Sequence, residues 1–310
     1  MKPELSIIIV NWNTKDCLRS CLKSIYGKVV NAPFEIIIVD NVSIDGSQKM
    51  VKTEFPKARL FINKENVGFG RACNQAAKES KGKYLLILNP DTEIIEVVLQ
   101  DLFNLFEEDR TIGAIIPIVF NGDSSLKYKT IRTLPTPIVT FGYIYPQFGL
   151  LTSKPPQPLS LNEAQEHQFS PGFCFLIKAT IFKELGGFDE HYFLYFEDTD
   201  LGVRLRKIGL KIISYPGFKI VHEGGKATYK NTNVRDLSWH KSALYFFKKN
   251  SGRKGYLKMK ILLVFGAIVD IVLVFIQCLR KRNFNINRHA MIISRLRILW
   301  WHLSNVFREN

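Results

Sequence analysis

Residues 5–13 read Leu-Ser-Ile-Ile-Ile-Val-Asn-Trp-Asn. Six largely apolar positions give way abruptly to a polar turn. A run of this length, rich in β-branched residues, belongs to a strand buried on both faces. The pattern returns at 34–39, Phe-Glu-Ile-Ile-Ile-Val before Asp40-Asn41, and at 83–88, Lys-Tyr-Leu-Leu-Ile-Leu before Asn89-Pro-Asp91. Helical periodicity fills 14–26, 46–54, 68–80 and 96–108, with further strands at 59–62 and 114–120. Strands alternating with helices predict an α/β fold, a mainly parallel, Rossmann-like sheet with helices on both faces. After a proline-bearing excursion at 122–167, a strand is expected at 169–179, a helix at 201–208 and a strand at 211–214.

Ligands of such sheets bind beyond the carboxyl ends of the strands. Those ends carry Asn11 and Asn13; Asp40, Asn41, Ser43 and Asp45; Asn63 and Asn66; and Asn89 and Asp91. Any one is best explained as a helix cap or turn former. Four marked ends along one edge predict a site.

The 310 residues are 46% hydrophobic and 23% charged, ordinary globular composition that excludes a disordered chain, a collagen or a multi-span transporter. The net charge of +15 is unevenly placed. Residues 241–310 hold fourteen basic and two acidic residues, a net +12, and the first 240 only +3. Within the basic quarter, 261–279 is apolar except for Asp270 and Gln277, long enough as a helix (about 30 Å) to cross a bilayer core. Lys258 and Lys260 precede it and Arg280, Lys281 and Arg282 follow, so flanking charge sets no orientation. Ile292, Ile293, Leu296, Leu299, Trp300, Leu303 and Phe307 then recur at helical spacing among Arg295, Arg297 and Arg308. The expected partner is a membrane surface, contacted by 241–310 as helices lying on or dipping into the inner leaflet, with a single span as the alternative, and not nucleic acid, which would leave the apolar run unexplained. The five cysteines, an odd number without a Cys-x-x-Cys pair, fit a reducing compartment.

Two further groups carry chemistry. Glu197, Asp198 and Asp200 crowd three carboxylates into four residues beside Tyr192, Phe193, Tyr195 and Phe196. Such carboxylates raise one another's pKa unless cations intervene. His222 follows an apolar segment and precedes Glu-Gly-Gly225, a position from which it can complete a metal site. Neither a P-loop nor a Gly-x-Gly-x-x-Gly fingerprint is present.

Taken in order, the chain contains Ile8-Ile-Val-Asn11-Trp-Asn13, Val39-Asp40-Asn41-x-Ser43-x-Asp45-Gly46-Ser47, Asn66-x-Gly68-Phe69-Gly70-x-Ala72-x-Asn74-Gln75, Leu88-Asn89-Pro90-Asp91-Thr92, Gly186-Gly187-Phe188-Asp189-Glu190 and Tyr195-Phe196-Glu197-Asp198-x-Asp200-Leu201. Over roughly residues 5–225 it resembles the inverting nucleotide-sugar glycosyltransferases of family 2, with the GT-A fold, and within them the rhamnosyltransferase-like branch of bacterial polysaccharide synthesis. The resemblance implies a donor such as dTDP-rhamnose, with a UDP-hexose or a catalytically inactive sugar-binding module as alternatives. It implies a saccharide or polyprenyl-linked saccharide acceptor at the cytoplasmic face of the inner or plasma membrane, and Mg2+ or Mn2+ as cofactor. Asp40 would bind the base, with Asn11, Asn41 and Asn66 lining that pocket, and Asn13, Ser43, Gly68 and Phe69 would also contact the nucleotide sugar. Arg71 and Asn74 would lie near the donor phosphates or sugar. Asn89 and Asp91 stand where the family has Asp-x-Asp, so one metal carboxylate is replaced; Asp91 and His222 would hold the metal. Asp198 matches the catalytic base, with Glu197 orienting acceptor hydroxyls. The implied layout is a catalytic domain over 1–240, divided near 120 into nucleotide-sugar and acceptor halves, followed by the membrane-associated 241–310.

Overall fold

The computed structural model of the chain describes residues 2–30, 32–127, 134–151, 158–170, 172–222, 232–280 and 286–304. Glu-Gly-Gly225, Pro155 and Pro156, the basic pair 281–282, and Phe307 and Arg308 lie outside these residues. Two compact units form: residues 1–134 with 156–230, and residues 135–155 with 231–310. The first therefore ends ten residues before the expected boundary at 240. The second takes in 135–155, expected in the acceptor half, because the apolar residues of that segment pack within the second unit.

In the first unit, β1 (Leu5–Asn11) is buried at all seven positions. β2 (Phe34–Asp40), β3 (Arg59–Ile62) and β4 (Tyr84–Leu88) run parallel to it in the order β3-β2-β1-β4. The crossovers are α1 (Lys15–Lys28), α2 (Ser47–Glu54) and α3 (Phe69–Glu79). Alternate side chains serve opposite layers. Leu5, Ile7 and Ile9 pack with Leu18, Leu22 and Ile25 of α1 and Met50 of α2. Ile8 and Val10 pack with Ala72, Cys73 and Ala76 of α3. A period of two between two apolar layers is why the strand sequence has no polar face.

Beyond β4 the sheet becomes mixed. β8 (Cys174–Lys178) lies between β4 and β6 (Ile112–Phe120), antiparallel to both. β9 (Lys211–His222) runs parallel to β6 and antiparallel to β5 (Thr92–Val97) and β7 (Gln165–His167). Residues 96–97, expected to open a helix, thus close a strand. Thr92 and Ile94 are buried while Glu93 and Ile95 are exposed, a two-residue period that β9 completes. α4 (Leu99–Glu108) starts only at Leu99 and buries Leu99, Leu102, Phe103 and Phe106. β9 passes Pro216, which lacks an N–H, by a register shift against β6, and so reaches its end at His222. α6 (Ala179–Glu184) and α7 (Glu197–Lys207) cover the α3 face with Phe182, Leu201 and Leu205.

The second unit contains α5 (Pro137–Ile144), α8 (Thr232–Arg280) and α9 (Ile286–Ser304). Thr136 caps α5 by accepting from Val139 N–H at 3.3 Å. α8 breaks at Gly252, where φ is 62°. Its stretch Arg235–Ile276 is long and apolar enough to cross a membrane. Asp270, the acid of its apolar part from 261 to 276, pairs with Arg295 of α9 at 2.8 Å.

Candidate active site

Parallel pairing sets Asn11 opposite Asp40 at the carboxyl ends of β1 and β2. Asn11 Nδ2 donates to Asp40 Oδ2 at 2.7 Å and to Ser43 Oγ at 3.0 Å. Ser43 N and Gln48 Nε2 donate to Asp40 Oδ1 at 2.8 and 2.7 Å. Asn13 joins the network: its N–H donates to Ser43 Oγ at 2.8 Å, and its Oδ1 accepts from Ile44 N at 2.8 Å. Asn11, Asp40 and Asn41 are buried. Buried polar groups need partners, and here they are one another's, so this edge is a rigid polar rim. Gln48, at the second position of α2, had no sequence signal beyond its place after a turn.

Asn41 continues the rim. Its Nδ2 donates to Gly68 O at 3.3 Å and its Oδ1 accepts from Asn63 Nδ2 at 2.8 Å. Asn66 Oδ1 accepts from Gly68 N at 3.0 Å. Gly68 has φ 86°, and a Cβ there would lie 2.4 Å from Phe193 O, to which Phe69 N donates at 3.0 Å. Only glycine fits such a position. Arg71 and Asn74, on α3, turn to the 186–190 loop. Asn74 donates to Phe188 O and Glu190 Oε1 and accepts from Phe188 N, while Arg71 pairs with Glu190 at 3.1 Å. Asn74 is thus engaged by the loop backbone.

At the end of β4, the antiparallel register of β5 and β9 sets Thr92 opposite His222. His222 Nε2 lies 3.3 Å from Asp91 Oδ1, with both side chains under 10% exposed. Both His222 ring nitrogens are buried without a hydrogen-bond partner among the described residues. The ring stacks on Phe173, centroids 4.2 Å apart. Asn89 N donates to Phe173 O at 2.7 Å, which ties Asn89 into the same cluster. Lys127 Nζ donates to His222 O. Burial lowers the Lys127 pKa, and the nearby Asp91 charge opposes that shift. Among the described residues no group of three His, Cys, Asp or Glu side chains that could hold a metal ion gathers; Asp91 and His222 come together as a pair.

Asp198 joins this cluster through a dipeptide. Gly172 N donates to Asp198 Oδ2 at 2.8 Å, and the next residue, Phe173, holds Asn89 and His222. Asp198 Oδ1 accepts from Thr199 N at 2.6 Å. Asp198 is half-buried, whereas Glu197 is buried. Burial first, and the charge of Asp198 second, push the Glu197 carboxyl well above the usual range. Asp200 pairs with Arg204 at 2.7 Å, and Arg204 donates to Leu185 O and Gly187 O. Of the three acids, Asp200 therefore braces the fold. Tyr195 and Phe196, just before α7, both have φ 69°. Left-handed residues other than glycine are costly and concentrate where a site fixes them. Phe173 and Lys127 had no sequence signal. Gly172 had one, the Pro-Gly turn that precedes a strand.

The family model for glycosyl transferase family 2 matches residues 6–186. The chain belongs to glycosyl transferase family 2. This family 2 glycosyltransferase is 26% identical over 262 residues to the N-acetylglucosaminyl-diphospho-decaprenol L-rhamnosyltransferase of Mycobacterium tuberculosis, covering 79% of this chain and 84% of that one. It is 26% identical over 226 residues to the rhamnosyltransferase WbbL of Escherichia coli, covering 70% and 82%. Among solved structures it is similar to GalNAc-T7 with UDP, GalNAc and Mn2+, at a TM-score of 0.58 and 18% identity, covering 81% of this chain and 51% of that one. That likeness confirms the GT-A fold that the family resemblance implied.

Proposed function

We propose that the protein transfers rhamnose, with inversion, from dTDP-rhamnose to a lipid-linked saccharide at the cytoplasmic face of a membrane, with 241–310 as its membrane-contacting region. The observation that carries this reading is the Gly172-Phe173 dipeptide, which joins the Asp91–His222 pair to Asp198. The acceptor class is supported by the mycobacterial relative, whose name specifies a diphospho-decaprenol acceptor.

Asp40 and the Asn11–Asn41 rim hold the nucleobase end of the donor, where preformed hydrogen bonds fix acceptors and donors in place. Asp91 and His222 fit a divalent cation, Mg2+ or Mn2+. A carboxylate and an imidazole are ligand types for such ions, and buried ring nitrogens without a hydrogen bond are costly otherwise. When bound, the cation stabilises the negative charge of the leaving nucleoside diphosphate. An acceptor hydroxyl ionises far above neutral pH and needs a base within hydrogen-bond reach. Asp198 is that base. Its Oδ2 is held by Gly172 N–H and its Oδ1 by Thr199 N–H, which orients the carboxylate before the acceptor arrives. Glu197, buried beside it, acts as a positioning residue. A single base and a single displacement give inversion.

Asp198→Asn lowers turnover by about a hundredfold or more and keeps the donor-induced thermal shift. Wild-type turnover in this variant removes Asp198 from the role. The donor is tested by thermal shift with dTDP-, UDP- and GDP-sugars, with and without Mg2+ or Mn2+. A UDP-hexose that stabilises while dTDP-rhamnose does not overturns the donor assignment.

A further inference from the structure

The second unit keeps an apolar surface that its own packing leaves open. Along the second half of α8, Met259, Leu263, Ala267 and Val274 are buried, while Ile261, Phe265, Ile268, Val272 and Phe275 are 47–68% exposed. Spacings of four, three, four and three residues keep the exposed five in one row about 21 Å long. At the head of the row a cavity of about 280 Å³ is lined by Thr136, Pro137 and Ile138 on one side and Lys258, Ile261 and Leu262 on the other. Lys248, Lys249, Arg253, Lys254 and Lys258, all exposed, lead up to that end along the chain, and Lys258 lines the cavity itself.

We propose that this row docks flat on an anionic bilayer, with the second half of α8 lying in the plane of the leaflet and not crossing it. The inference rests on the lipid-linked acceptor reading and adds which face meets the lipid and how. Charge complementarity names the occupant. An apolar row continuous with a cluster of cations matches a surface that offers hydrocarbon and phosphate together. Lys258, whose stem borders the cavity, can lay its methylenes along Ile261 and keep its ammonium among headgroups.

The other face of α8 argues against crossing. Asp270 lies between Ile268 and Val272 in sequence, level with the row, and pairs with Arg295 at 2.8 Å. Arg295 also reaches Asp236 at 3.5 Å. Crossing would bring this ionic group to hydrocarbon depth, where charges are expensive. Lying in the plane leaves it on the protein side of the helix while the row alone enters the lipid. The packed polar contacts of that side, Tyr145 O–H to Leu263 O at 3.1 Å and His240 to His302 at 2.8 Å, stay out of hydrocarbon for the same reason.

The test uses the full-length protein and vesicles of phosphatidylcholine with or without phosphatidylglycerol. Flotation is expected with the anionic vesicles, weakened by high salt because surface charges are screened. The double variant Phe265→Glu, Ile268→Glu should lower vesicle partition roughly a hundredfold, since two large apolar side chains are no longer transferred. Undiminished flotation of that variant, or equal flotation on neutral vesicles at any salt, overturns the proposal. In sealed inverted membrane vesicles, trypsin added outside should cut at both the 248–258 and the 280–282 basic clusters. Protection of 280–282 means the helix crosses and overturns in-plane docking. A concentration-dependent dimer that the double variant abolishes, without flotation, assigns the row to a second copy and also overturns it. The donor-induced thermal shift, measured on the same variant, keeps the two readings apart. If the shift persists while wild-type protein fails to float, docking fails and the transferase reading stands. If flotation holds and no nucleotide sugar stabilises the protein, the transferase reading fails alone.

Discussion

At the scale of single residues, Gly172 and Phe173 tie Asp198 to the Asp91–His222 pair. A Cβ on Gly172 would lie 3.1 Å from Asp198 Cβ and 3.3 Å from its Oδ2. Gly172→Ala should therefore displace the carboxylate. Misplacement of a reacting group by an ångström costs about a hundredfold, so kcat should fall by roughly one to two orders of magnitude while the donor KM holds; steady-state kinetics reads both. His222→Ala should remove the additional thermal shift that a divalent cation gives to the donor complex, measured by the same melts with and without Mn2+. Glu197 makes a pH prediction. Its pKa lies above the ordinary 4.5, so the folded state holds the proton more tightly than the unfolded chain. Stability from this group is whole below about 4.5 and is lost as pH rises toward the raised value. Glu197→Gln should flatten the fall in melting temperature above about pH 5; a variant with the wild-type slope removes Glu197 as its source.

At the scale of elements, the site depends on where helices begin. α3 begins after Gly68, whose left-handed backbone lets Phe69 N reach Phe193 O. Gly68→Ala places a Cβ 2.4 Å from that oxygen in a conformation alanine avoids. The expected cost is about 2 kcal/mol or more, read as a lower denaturant midpoint. The same element scale shows where periodicity misleads. A helix at 96–108 is a fair reading of the apolar spacing, yet Thr92–Val97 forms β5 because β9 offers it an unpaired edge. The pairing partner lies more than a hundred residues away in sequence, and no local pattern announces it. β5 matters to the site, since its register with β9 brings His222 beside Asp91.

At the scale of the whole molecule, charge and function separate. The first 240 residues are nearly balanced at +3, and the last 70 carry +12. The chemistry resides in one unit and the exposed apolar row in the other. Donor with divalent cation, at a hundred times its dissociation constant, should stabilise the first unit by about 2.7 kcal/mol, roughly 5–10 °C in its melting transition. Addition of anionic vesicles should leave that shift unchanged.

The amino-acid sequence by itself determined the alternating strands and helices, the polar edge made by Asn11, Asp40, Asn66 and Asp91, and the concentration of charge in the last quarter. These are local patterns, and side-chain periodicity and composition encode them directly. Only the tertiary structure decided the antiparallel insertion of β8, the meeting of His222 with Asp91, and the bridge that Gly172 and Phe173 build to Asp198. It also decided that Asn74 clamps a loop and that Asp270 has Arg295 as its partner. Each of these is a contact between residues far apart in the chain. Such contacts are fixed by strand register and by the need to satisfy buried polar groups, which exist only once the sheet has formed.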